Sequence, residues 1–231
     1  MVKSISLGKF SSVDELIATA NLALANALGK VYDEDNKCIR INDKIGIEYY
    51  KYTSGGGATY PVCRFAVKKS DGTVVYPGYN MLSHNFTSSY PYTIYYDYGQ
   101  YHIAFGLNHS GATLNTYFSD LVAQCTDGQW YGINIAYDST YRSHAWITDP
   151  DGASCKNSHI SVNHMYGDGF PCSMFALPNP YKNTVFHDVY VMLSAPLQAS
   201  YLSKTNMTLN RIEYHLFSSN NNVYTLFAIT T

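Results

Sequence analysis

The chain is predicted to be mainly β, an antiparallel β-sandwich-like domain with one N-terminal α-helix and a candidate second short helix. Three observations predict this. After residue 44, short stretches rich in Tyr, Val, Ile, Phe and Thr alternate with clusters of Gly, Asn, Ser, Asp and Pro, the pattern of strands and turns. Four Asp-Gly pairs, at Asp71, Asp127, Asp151 and Asp168, supply residues that accept the backbone angles of tight reversals. A single strong helical repeat precedes all of them. With 231 residues, 46% hydrophobic and 14% charged, the chain has material for a core and too little charge for disorder. We read it as residues 1–44, a helix and connecting segment, packed as one unit with a β-rich domain over 45–231.

The helix is read from its ends inward. Ser12 and Glu15 have the S-x-x-E spacing in which the serine hydroxyl accepts from a first-turn amide and the glutamate reaches back to the cap amide. From Val13, the positions Leu16, Ile17, Ala20, Leu24, Ala27 and Leu28 share one face. Gly29 is suited to the φ > 0 stop, and Lys30 lies by the negative end of the dipole. No charged residue falls between Leu16 and Gly29. Ala18, Leu22 and Ala25 lie off the main stripe, with polar cover only from Thr19, Asn21 and Asn26. Either this second face is buried against a neighbour, or an Ala-rich amphipathic helix lies on one sheet with a small exposed back.

Strands are predicted over 45–52, 60–67, 92–98, 101–107, 130–137, 144–148, 170–177, 185–193, 209–217 and 223–229. The last two alternate across a polar loop and form the clearest hairpin, with Ile212, Tyr214 and Leu216 on one side and Arg211, Glu213 and His215 on the wet one. A second helix is suggested where Leu114, Tyr117, Phe118, Leu121, Val122 and Cys125 recur at three- and four-residue steps. Residues 46–72 and 132–152 share a hairpin outline, from which no domain boundary is drawn.

Composition and motif exclude several function classes. The net charge is −2, and the four arginines, Arg40, Arg64, Arg142 and Arg211, are scattered, so no basic stripe faces nucleic acid. Five cysteines at irregular gaps suit thiols in a reducing compartment. The first ten residues lack the apolar run of a secretory signal, and nothing reaches the length of a membrane span. The sequons at Asn85, Asn108 and Asn206 would matter only in a secretory pathway.

The four glutamates, Glu15, Glu34, Glu48 and Glu213, offer no evident acid-base pair. His159 and His164 lack the acidic residue of a zinc helix. The run from Asp33 and Asp35 puts Lys37 at a calcium-ligand position and Cys38 where the turn glycine is needed. The Gly55, Gly56, Gly57 triplet has no following helix to hold a phosphate. We therefore expect no enzyme, no cofactor and no metal.

Tyrosine is abundant instead, 23 residues, with runs at Tyr49, Tyr50 and Tyr52 and at Tyr90, Tyr92, Tyr95, Tyr96, Tyr98 and Tyr101. Its ring buries well at low entropy cost while its hydroxyl accepts water, the balance found at protein contacts and sugar-stacking surfaces. Strand alternation sends neighbouring rings to opposite faces. The candidate interface is Ala18, Leu22 and Ala25 with Tyr49, Tyr50, Tyr52, Tyr95, Tyr96 and Tyr98. Leu22→Asp or Ala25→Glu should then leave a folded but less associated protein.

The apolar N-terminal helix, the thiol pattern, the tyrosine-rich strands and the stretch Leu177, Pro178, Asn179, Pro180 leading into Val189 to Ser194 together resemble the small virion structural proteins of tailed bacteriophages. That resemblance implies a protein folded in the host cytoplasm and repeated in a symmetric particle, in the neck, tail, baseplate or capsid surface. Its partners would be copies of itself and other virion proteins. The alternative is a carbohydrate- or host-receptor-binding β module, with tyrosines and Trp130 or Trp146 stacking on sugar faces while Asp and Asn take the hydroxyls.

Overall fold

The computed structural model describes residues 2–77, 85–111, 118–137, 143–152, 154–159, 173–193, 206–209, 211–217 and 225–230. In chain order run β1 (Lys3–Gly8), α1 (Val13–Leu28), β2 (Tyr32–Asp33), β3 (Cys38–Arg40), β4 (Ile45–Thr53), β5 (Thr59–Lys68), β6 (Val74–Val75), β7 (Tyr92–Tyr98) and β8 (His102–His109). There follow β9 (Asp120–Gln124), β10 (Trp130–Tyr137), β11 (Ser143–Thr148), β12 (Cys155–His159), β13 (Ser173–Pro178), β14 (Val185–Leu193), β15 (Asn206–Leu209), β16 (Ile212–Phe217) and β17 (Thr225–Thr230). The strands form a seven-stranded sheet, β1-β7-β8-β9-β10-β11-β12, and two five-stranded sheets, β2-β3-β4-β5-β6 and β13-β14-β17-β16-β15. The predicted mainly β, antiparallel, sandwich-like class is the observed one.

The seven-stranded sheet is the middle layer, because its strands feed two separate cores. Ile103, Phe105 and Leu107 of β8 and Val122 of β9 join Leu16, Leu24, Ile45, Ile47 and Phe65 on the side of α1 and β4. Ala104 of β8, Leu121 and Ala123 of β9 and Tyr131 and Ile133 of β10 face the other way, toward Leu177, Phe186, Val189 and Ile229. Each fully buried large apolar side chain contributes about 1.5–3 kcal/mol. The layers approach closely at Gly132, where an added Cβ would lie 2.3 Å from the Phe65 ring, so only glycine fits beneath that ring.

α1 begins and ends where its cap residues place it. Ser12 Oγ accepts from Glu15 N at 3.2 Å. The Glu15 carboxylate reaches one residue beyond the expected cap amide, accepting from Ser11 N at 3.3 Å and Ser11 Oγ at 2.8 Å. Gly29 adopts φ 62°, and Gly29 and Lys30 donate to Asn26 O and Ala25 O, satisfying last-turn carbonyls. Lys30 Nζ reaches Ile41 O at 3.1 Å.

Asn21, read from sequence as polar cover, is instead 2% exposed. Its Nδ2 donates to Tyr49 O and its Oδ1 accepts from Tyr49 N, both at 2.9 Å. β3 pairs β4 only at Gly46 and Ile47, so the amide takes the place of a missing strand. Ala25 is 2% exposed and packs into the first core, because the helix turns it toward the sheets rather than outward.

Three further expectations need correction. The described part of the suggested second helix is strand β9, buried at Asp120, Leu121, Val122 and Ala123 alike; a strand covered on both faces loses its alternation and imitates helical spacing. The 209–217 strand is two strands, with Leu209 paired to Ile212 and Arg211 at φ 69°. The β16–β17 hairpin is present, Phe217 opposite Phe227, and Arg211 and Glu213 are exposed as expected while Tyr214 is buried. Residues 1–44 carry three strands besides the helix: β1 pairs β7, and β2 and β3 continue into the β4 sheet. Asp168 and His164 lie outside the described residues.

Candidate functional site

α1 and β4 meet at an angle that leaves a groove of about 310 Å³ beside the helix face carrying Ala18 and Leu22. Asp14, Ile17, Ala18 and Leu22 form one wall, Glu48, Tyr50 and Lys51 the other, and Tyr32, Glu34 and Lys37 close one end. The Asn21 clamp on Tyr49 fixes the spacing of the walls. Ala18 is exposed, and Leu22 is 50% exposed at the lip.

The β4 wall is built from an aromatic and ionic stack. The Arg64 guanidinium lies 4.0 Å from the Tyr50 ring centroid and 3.9 Å from that of Tyr76. It also pairs with Glu48, Nη2 at 2.7 Å and Nε at 2.8 Å. The Tyr76 hydroxyl donates to Asn36 O and Lys37 O, tying the stack to the β2–β3 turn. Burial pushes the Glu48 carboxyl up, against the pull of Arg64. Burial also pushes Tyr32 up to about 12, with Glu48 and Glu34 adding to it. Tyr32 is therefore neutral at physiological pH.

The rim charges are internally matched. Lys51 pairs with Asp14 at 2.8 Å and Lys37 with Glu34 at 3.5 Å, and Glu48 is held by Arg64. What the groove offers a partner is apolar and aromatic surface, at Ile17, Ala18, Leu22, Tyr32 and Tyr50, in a ring of neutralised charge. Among the described residues that line it there is no histidine or cysteine beside its acids. Among the described residues no group of three or more His, Cys, Asp or Glu could hold a metal ion, and no helix is long and apolar enough to cross a membrane.

The expected interface residues divide. Ala18, Leu22 and Tyr50 come together in the groove. Ala25 and Tyr49, 2% and 3% exposed, are committed to the chain's own core and present no surface to a partner; Tyr49 packs edge-on to Phe105 at 6.1 Å. Tyr52 lies farther along β4, facing Tyr60 at 6.3 Å. Tyr95, Tyr96 and Tyr98 lie on β7, outside the groove lining. Tyr96 packs against the first core and Tyr95 against the second, while Tyr98 is 54% exposed.

The sequence reading missed Tyr32, Glu34, Lys37 and Glu48 as neighbours of the helix. Glu48 and Tyr50 share one face of β4 by alternation, the one signal in the sequence for that wall. The β2 residues arrive only by tertiary packing. Cys38, Cys63 and Cys125 are buried free thiols, in line with the thiol reading of those three. No protein-family model, no curated protein and no solved structure matches the chain.

Proposed function

We propose that the chain is a non-enzymatic structural protein that forms symmetric assemblies, and that the α1–β4 groove receives a second copy of itself. The observation that carries this reading is Leu22. It is a large apolar side chain, half exposed in the charge-free stretch of the helix from Leu16 to Gly29, standing beside a groove of matching character. A projecting knob next to a hole on one surface is the arrangement an isologous two-fold contact uses, where each copy's knob enters the other's hole. The matched rim charges favour the same occupant, since a nucleic acid or a strongly charged protein would need a free cluster of one sign.

The setting we propose is the particle of a tailed bacteriophage, as a neck, tail, baseplate or capsid-surface component assembled in the host cytoplasm. It is supported by the resemblance in the sequence, with other virion proteins as further partners. Leu22→Asp and Ala18→Arg place a charge at the lip without touching the core, and should lower the oligomer mass in mass photometry while the circular-dichroism spectrum stays native. Unchanged mass with a native spectrum removes the groove as the contact. Ala25→Glu, interchangeable with Leu22→Asp on sequence grounds, would bury a charge in the core and unfold the chain instead.

A further inference from the structure

A second concave site lies away from the groove, where three turns meet around Trp130. The β3–β4 turn brings Asn42, Asp43 and Lys44, the β9–β10 turn Gly128 and Gln129, and the β11–β12 turn Pro150, lining a cleft of about 240 Å³. We infer that this cleft binds the face of a neutral sugar ring, with Trp130 as the stacking plate and Asp43 and Asn42 as hydrogen-bonding partners for its hydroxyls.

The walls are fixed by the turns themselves. Asn42 Oδ1 accepts from Lys44 N at 2.8 Å and Ile45 N at 2.9 Å. Asp127 Oδ1 accepts from Gln129 N, and Asp149 Oδ1 from Asp151 N, each at 3.0 Å. Asp151 joins the three turns, accepting from Lys44 Nζ and, at 2.9 Å, from Gln129 Nε2. Lys182 ties the middle turn down through Asp127 at 3.0 Å. A site held this way loses little entropy when a ligand enters.

Inside that frame several groups remain uncommitted. Trp130 packs one side against the first core and is only partly buried. Among the described residues its indole N–H has no hydrogen-bond partner, nor has the exposed Asp43 carboxylate, nor the Asn42 Nδ2 group. The chemistry narrows the ligand. Lys44 is already paired with Asp151, and the free carboxylate repels anions, so phosphates and acidic sugars are disfavoured. A quaternary ammonium is best held by a cage of several rings, and among the described residues only one aromatic ring lines the cleft. An indole face flanked by a carboxylate and an amide suits the C–H face and hydroxyls of a pyranose. The volume lies below the roughly 300–1,000 Å³ of drug-sized pockets, which fits a single ring.

The chain has two tryptophans, so Trp146→Phe leaves Trp130 as the sole indole. Its fluorescence would be titrated with methyl glycosides of glucose, galactose, mannose and N-acetylglucosamine, with choline and inorganic phosphate alongside. The expected result is a saturable change with at least one glycoside, at a dissociation constant on the order of 1 mM. Asp43→Ala should weaken it about tenfold, Leu22→Asp should leave it unchanged, and choline and phosphate should be silent. Saturation-transfer NMR on the wild-type chain and on Asp43→Ala gives the same reading without the Trp146 substitution. No saturable response to any glycoside, a response indifferent to Asp43→Ala, or a response to choline alone overturns the inference.

Discussion

Asp120→Asn is expected to raise the stability of the folded chain by up to about 4 kcal/mol above neutral pH. Asp120 lies between the middle sheet and the β4 sheet, 6% exposed, on the face of β9 that also carries Val122. Ser119 Oγ donates to its carboxylate at 2.6 Å, and Asn134 Nδ2, directly opposite on β10, donates as well. These bonds hold its pKa down, but burial outweighs them and pushes it up to about 7. The titratable groups near it, Tyr49 and Cys63, are themselves buried and neutral, and no cation among the described residues pairs with it.

The sign follows from comparing folded with unfolded. Below about pH 4 the carboxyl is protonated in both states and the folded form carries no penalty. Between about pH 4 and pH 7 the unfolded chain releases this proton while the folded chain keeps it, so stability falls with rising pH and levels off above about 7. Asparagine never ionises, and its carbonyl oxygen can keep the bond from Asn134 Nδ2 while its amide group takes the place of the oxygen beside Ser119 Oγ. Carboxylates such as the half-buried Asp33 and the exposed Asp71, held low by hydrogen bonds from Asn36 and Thr73, act in the opposite direction. They are common to both proteins and cancel in the difference. Urea unfolding of the two proteins over a pH series would show the gap widening from acid to neutral; parallel curves would mean that Asp120 ionises freely in the fold.

Asn21→Ala is the second large effect, a loss of about 3 kcal/mol. The substitution leaves Tyr49 N–H and C=O without their side-chain partners at the helix–sheet seam, and each buried unsatisfied group costs about 1–3 kcal/mol. For a chain of this length that corresponds to a fall in Tm of roughly 6–12 °C. Alanine is the better helix former, so intrinsic propensity works against the expected direction. A thermal melt within a degree or two of wild type would show that water replaces the clamp.

What could be read in advance followed from the reach of each interaction. α1 was legible because its cap, stripe and stop are local. The long strands β4, β5, β7, β10 and β14 were legible because β-branched and aromatic runs lie between turn residues. β9 was misread since both its faces are covered, and β2, β3 and β6 are too short to leave a pattern. Asn21 was misassigned because its partner is the backbone of Tyr49, 28 positions away, and nothing near Asn21 in sequence announces a strand edge. Of the groove, Ala18, Leu22 and Tyr50 were found by asking which side chains lack an internal reason to be apolar. The wall from Tyr32 to Lys37 and the whole Trp130 cleft depend on turns meeting in space.

The two surfaces differ in what they require of the protein. A single-ring cleft binding at millimolar strength is of little use to one molecule, whereas an array of copies multiplies weak sites into firm attachment. A self-associating groove would supply that array.

The central claim is that the apolar lip at Ala18 and Leu22 meets another copy of the same chain. Sedimentation velocity of the wild-type protein over a wide concentration range tests it most directly. The account predicts a discrete, symmetric oligomer that dissociates on dilution and whose formation Leu22→Asp prevents. A wild-type chain that sediments as a monomer at every concentration would contradict it.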